Sequence, residues 1–200
     1  MKDSKEHILN VSLQLFLQKS FKEVTMKEIV EQTGLSKGAF YHYFNSKEQV
    51  FKEVIIYFFE DLLTEDFEQY SHASLEQFIH DALKAIDGKL KSARILFQSR
   101  DHSFTANHYY LLFDAVKMFP DFKSHLFEKQ KEEQKAWTRI VAIARKNGEI
   151  RTDMTDEQVG KLFIYLGDGL GISLMMLEEM TRLRKELQVL WEGLYASLKK

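Results

Sequence analysis

The chain has no cysteine, which excludes disulfides, thiol nucleophiles and cysteine-held metals and fits a reducing compartment. Proline occurs once and glycine nine times in 200 residues, so few breakers interrupt long helical patterns. No uninterrupted apolar run approaches the roughly eighteen residues of a membrane span. The opening MKDSKEH has no apolar signal core, so a cytoplasmic protein with no membrane partner is expected. The marks of catalysis are missing too. There is no phosphate-binding glycine loop and no nucleophile elbow. His102 and His108 are out of register on a helix, with no carboxylate to complete a metal set. The expectation is a protein that is not an enzyme and needs neither metal nor cofactor. A net charge of −2 argues against indiscriminate coating of nucleic acid.

What is present is an ordinary globular composition, 44% hydrophobic and 29% charged, patterned almost throughout at helical period. Residues 3–19 carry Ile8, Ser12, Leu15 and Phe16 on one side. Thr25 followed by Glu28 spells a capping box for a helix reaching Thr33, and Gly34 can take the positive φ that ends it. Ser36 caps a third helix over about 37–44, and Ser46 caps a fourth over about 47–69. Further helices are predicted over 74–98, 106–118, 120–147 (with Pro120 in its first turn), 156–178 (with a second capping box, Thr155 and Gln158) and 182–199. No strand pattern emerges. The fold class is therefore all-α, about nine helices, with a small head (1–46) joined through the fourth helix to a larger body (47–200).

The segment from Thr25 to Val50 carries the chemistry. On the third helix Phe40 and Phe44 share one face and suit a core. The opposite side shows Lys37, Gly38, Ala39, Tyr41 and His42, an odd set for a solvated helix. Small residues let a backbone come close to a ligand, Tyr and His hydrogen-bond phosphates or base edges, and Lys neutralises phosphate. Thr25, Ser36 and Lys47 stand at helix starts, where free amides and the positive dipole end attract phosphate. Tyr43 suits core and phosphate equally. Residues 1–51 hold seven lysines against six acids, a net of +1 that leaves −3 for the rest. Arg94 is the first arginine of the chain, so the head has no bidentate arginine with which to read guanine.

Thr25, Ile29, Gly34, Leu35, Ser36, Lys37, Gly38, Tyr41, Tyr43, Phe44, Ser46 and Lys47 agree at fixed spacing with the DNA-binding motif of TetR-family regulators, which residues 5–55 resemble. Ser20, Val30 and Val50 depart from the usual Gly, Ala and Leu at packing level only. The resemblance implies a ligand-responsive repressor that binds palindromic double-stranded DNA as a homodimer. It implies phosphate contacts from Thr25, Ser36, Lys37, Tyr41 and Lys47, with Ala39 and His42 facing bases. The same fold acting without an inducer, as a DNA-binding or interaction module, is the alternative.

In the body, Gly160, Ile164, Gly167, Gly171 and Leu174 line one side of the eighth helix. Leu187, Leu190, Trp191 and Leu194 line the last. Both stripes are expected at a dimer interface, as the resemblance implies, or else at packing within one subunit. An apolar effector pocket is expected around Phe97, Phe104, His108, Tyr109 and Phe113, near Phe119 and Phe122. Arg94, Arg100, His108 and Asp168 are its candidate polar groups. Asp168 breaks an otherwise nearly uncharged stretch. It could meet a cationic ligand or simply bond to a neighbouring helix.

Overall fold

The computed structural model describes residues 2–63, 65–96 and 106–199, with side chains over 4–58, 65–92 and 107–199. It consists of α1 (Lys2–Gln18), α2 (Met26–Thr33), α3 (Lys37–Tyr41), α4 (Lys47–Leu63), α5 (Leu75–Leu96), α6 (Ala106–Met118), α7 (Pro120–Lys146), α8 (Asp156–Met176) and α9 (Leu183–Leu198). Short 3₁₀ turns at Phe67–Gln69 and Met180–Arg182 punctuate them. Among the described residues the only strand-like pairing is a bridge between Ile150 and Lys199. The all-α expectation holds. Two helices end earlier than their periodicity suggests. α3 stops at Tyr41 and continues as a turn, and α4 stops at Leu63, with the 3₁₀ turn following.

The caps explain the boundaries. Thr25 accepts the Glu28 amide at 3.2 Å, and Gly34 closes α2 at φ +66°. The return half of this capping box is not made, because the Glu28 carboxylate is bound to Lys19. The Thr155–Gln158 box is complete. The start of α5 is capped from far along the chain. The Glu149 carboxylate accepts the amides of Leu75 and Glu76 at 3.0 and 3.1 Å and the Tyr195 hydroxyl at 2.9 Å. This bond adds to burial in pushing the Tyr195 phenol above its usual range.

Two cores result. The head core joins Ile8, Leu13, Phe16, Ile29, Phe40 and Phe44 to Val50, Phe51, Val54, Ile55 and Phe58 of α4, and to Leu111 and Ala115 of α6. The body core stacks Trp137 on Phe163, with centroids 4.9 Å apart, and sets Trp191 edge-on to Trp137 at 5.2 Å. The Trp191 indole donates to the Phe163 carbonyl at 2.9 Å. α8 is also the one helix among the described residues long and apolar enough to cross a bilayer. It is not an uninterrupted apolar run, because Lys161 and Asp168 break it; only its mean hydropathy is high.

Candidate DNA-reading head and effector cavity

The core contacts of Phe40 and Phe44, both fully buried, orient α3. With that face inward, Ser36, Lys37, Gly38, Ala39, Tyr41 and His42 are all turned to solvent, Tyr41 at 45% exposure. Tyr43 is half-buried against the head core. Ser36 accepts the Ala39 amide at 3.2 Å, which leaves its hydroxyl hydrogen available to donate. Lys37 has no hydrogen-bond or ion-pair partner among the described residues. A Cβ added at Gly38 would meet nothing within 4 Å, so protein packing does not require a glycine there.

Lys47 is not a free surface cation. Its ammonium donates to the carbonyls of Phe21 and Val24, both at 2.7 Å, and lies 4.3 Å from the Phe21 ring centroid. It stitches the start of α4 to the loop before α2, directly beside Thr25. One N–H of the ammonium remains for a further acceptor. In the same loop, Ser20 donates to the Glu23 carboxylate from its amide and hydroxyl at 2.8 and 2.7 Å. Those bonds lower the Glu23 carboxyl pKa.

Within the body a cavity of about 640 Å³ opens between α5, α6, α7 and α8. Tyr70, Ile86, Leu112, Val116, Trp137 and Trp191 supply apolar walls; Glu65, Lys89, Glu133 and Asp168 are among its charged groups. Of the described side chains expected at the pocket, only Asp168 reaches it. His108 is buried beside Phe58, with centroids 5.8 Å apart. Tyr109 packs against a small cluster of Leu174, Met175 and Met180, and Phe113 is exposed. Phe119 and Phe122 pack on the head core instead. The Arg94 side chain, Phe97, Arg100, His102 and Phe104 lie outside the described residues. Sequence reasoning missed Glu65, Lys89 and Glu133. Glu133 left a signal: it falls on the inward stripe of α7 with Leu126, Gln130, Trp137 and Ile140, where a carboxylate is out of place. Burial, with the charge of Asp168 adding to it, pushes the Glu133 carboxyl up to about 7. Asp168 is exposed along one edge of the protomer, and the partial desolvation of its carboxyl beside the cavity raises it.

The expected dimer stripe mostly faces inward. Gly160 lies against α7, where a Cβ would come within 3.2–3.3 Å of Trp137 and Thr138 atoms. Gly167 faces Trp191 and Leu187, and Ile164, Leu174, Leu187 and Trp191 are buried within the protomer. Leu194 is partly buried on the same core. Gly171 and Leu190 alone of that set look outward. The outward apolar stripe is instead Leu162, Tyr165, Ile172 and Met176 of α8 with Val189 and Leu190 of α9, interleaved with the open glycines Gly169 and Gly193.

A capped two-helix turn presenting a short, small-residue helix with lysine, tyrosine and histidine outward defines a helix-turn-helix DNA-binding regulator. Residues 8–54 match the family model for bacterial regulatory proteins, tetR family. The chain is 25% identical over 155 residues to the HTH-type transcriptional repressor KstR2 of Rhodococcus jostii, covering 75% of this chain and 69% of that one. It is 41% identical over 58 residues to the HTH-type regulator YerO of Bacillus subtilis, 29% of this chain and 20% of that one. A TetR transcription regulator from Haloarcula marismortui shares the fold across the full length of both chains, with TM-score 0.67 at 14% identity. The head, residues 8–54, is therefore a DNA-binding domain of the kind that family model describes, on a chain whose whole fold is shared with a solved regulator.

Proposed function

We propose that the protein is a ligand-responsive repressor that binds a palindromic operator as a homodimer in the cytoplasm. The observation that carries this reading is the solvent-facing set on α3, joined to a body that holds a drug-sized cavity. Lys37 and Tyr41 grip phosphates, with Thr25, Ser36 and Tyr43 at the flanks. Lys47 adds its remaining N–H. Gly38 and Ala39 allow close approach, and His42 reads a base edge. With no arginine in the head, sequence preference comes from these few contacts and from DNA shape.

One head alone holds DNA weakly, so two are joined about a two-fold axis to read paired half-sites. The surface we assign to that axis is the outward stripe of Leu162, Tyr165, Ile172 and Met176 with Val189 and Leu190. It is apolar over many residues and would be exposed in a monomer. The effector occupies the cavity. α6 carries its arrival to the head, since Leu112 and Val116 line the cavity while Leu111 and Ala115 lie in the head core.

The test is a gel shift against palindromes from the gene's own upstream region, with Gly38→Ala and Lys37→Ala beside the wild type. The wild type is expected to bind and both variants to bind at least about tenfold more weakly. Gly38→Ala should melt no lower than wild type, because the added methyl meets open space and removes glycine's entropy. Absence of any specific shift with the wild type would defeat the proposal.

A further inference from the structure

Among the described residues, the side chains that line the cavity leave its charge unbalanced. Glu65 pairs with Lys89 at 2.6 Å, and Glu132 with Lys129 at 2.9 Å. Glu133 of α7 and Asp168 of α8 then remain on two helices that pack together. Neither has an ion-pair partner among the described residues. The other lysine of the lining, Lys123, is exposed and starts about 15 Å along α7 from Glu133. The walls beside the two carboxylates are aromatic: Trp137, Trp191, Tyr70 and Phe67. Indole and phenol faces attract cations, most strongly where water is excluded. A compact metal ion does not fit this arrangement. Among the described residues no three His, Asp or Glu side chains converge as metal ligands, and a hard divalent ion needs about six oxygens. Diffuse positive charge on an apolar body meets both halves of the lining at once, and about 640 Å³ is room for a drug-sized molecule.

We propose that the effectors are lipophilic organic cations, with the charge held by Glu133 and Asp168 and the apolar body against Trp137, Trp191 and Tyr70. This rests on the reading of the cavity as the effector site. A bound cation favours the ionised form of Glu133. At neutral pH its arrival therefore expels a proton. The groups facing Glu133 are Asp168 from α8, Lys89 from α5 and Glu65 from the segment before it, with Trp137 donating a hydrogen bond from its own helix. Tyr109 of α6 lies within the field of Asp168.

The experiment is calorimetry with three probes of similar shape: tetraphenylphosphonium, neutral triphenylphosphine oxide and anionic tetraphenylborate. Tetraphenylphosphonium is expected to bind, and the other two at least about tenfold more weakly, the equivalent of one charge interaction. Glu133→Gln and Asp168→Asn should each weaken the phosphonium about tenfold, with melting curves confirming that both variants fold. Near pH 7 the binding enthalpy should vary with the buffer's ionisation enthalpy, and Glu133→Gln should abolish that variation. No phosphonium binding, equal binding of the oxide or borate, or indifference of both variants would overturn the proposal.

A parallel gel shift separates the two readings. Phosphonium that binds without loosening DNA supports the cation site and removes its effector role. DNA released by neutral or anionic compounds, with no phosphonium binding, keeps the repressor and removes the cation site.

Discussion

Lys47 shows how one side chain can serve fold and function together. Its ammonium satisfies two loop carbonyls and lies over the Phe21 ring. Lys47→Ala should therefore cost about 1–3 kcal/mol, read as a lowered Tm. If its remaining N–H also reaches phosphate, the salt slope of DNA binding falls by about one unit as well, measured well below the melting temperature. Glu133 works in the opposite sense. Its carboxyl titrates near 7 in the folded chain, against an ordinary value of 4.5. The folded state thus binds the extra proton between those values, and its stability falls as pH rises from about 4.5 to 7. Glu133→Gln removes that liability. It should raise Tm at pH 8 and change it little at pH 4.5, which thermal unfolding at the two pH values will check.

For whole helices, the decisive question is which face turns inward. Ile172→Asp on the outward stripe of α8 should convert the proposed dimer to monomers in size-exclusion chromatography while leaving the far-ultraviolet helix signal intact. Gly160→Val should do the reverse. It crowds Trp137 and Thr138 at 3.2–3.3 Å, costs about 1–3 kcal/mol, and leaves the surface of the protomer unaltered. The two faces of α8 explain what the sequence could reveal. The caps at Thr25, Gly34, Ser36 and Thr155 were legible because capping is local chemistry. So were the core face and reading face of α3, which differ sharply in composition. α8 is apolar on both sides, so periodicity could identify the helix and not its inward stripe. The cavity was harder still. Its lining gathers residues from six separate segments, and Glu133 looks like one more solvated acid in the run KEEQK until Trp137 is seen beside it.

For the molecule as a whole, α6 matters as much as α4. Asn107 donates to the Leu17 carbonyl of α1 at 2.8 Å, Ala115 is fully buried in the head core, and Phe119 meets Phe51 of α4 at 6.0 Å between centroids. Body and head thus meet along a second helix that also walls the cavity. Ala115→Leu should push α6 away from the head. It should alter operator affinity in the gel shift although residue 115 is remote from the reading face, and cost about 1–3 kcal/mol by overpacking.

The Lys47 stitch has a mechanical consequence. It fastens the start of α4 to the loop between α1 and α2, while Phe51 and Phe58 root the helix in the same core as Phe40. The head and the first turns of α4 are therefore one solid tip. In the proposed dimer, two such tips behave like the points of a pair of calipers: the gap between them can open or close, but neither point can change shape. Spin labels on paired heads should report a changed distance on effector binding, while amide signals inside each head stay where they were.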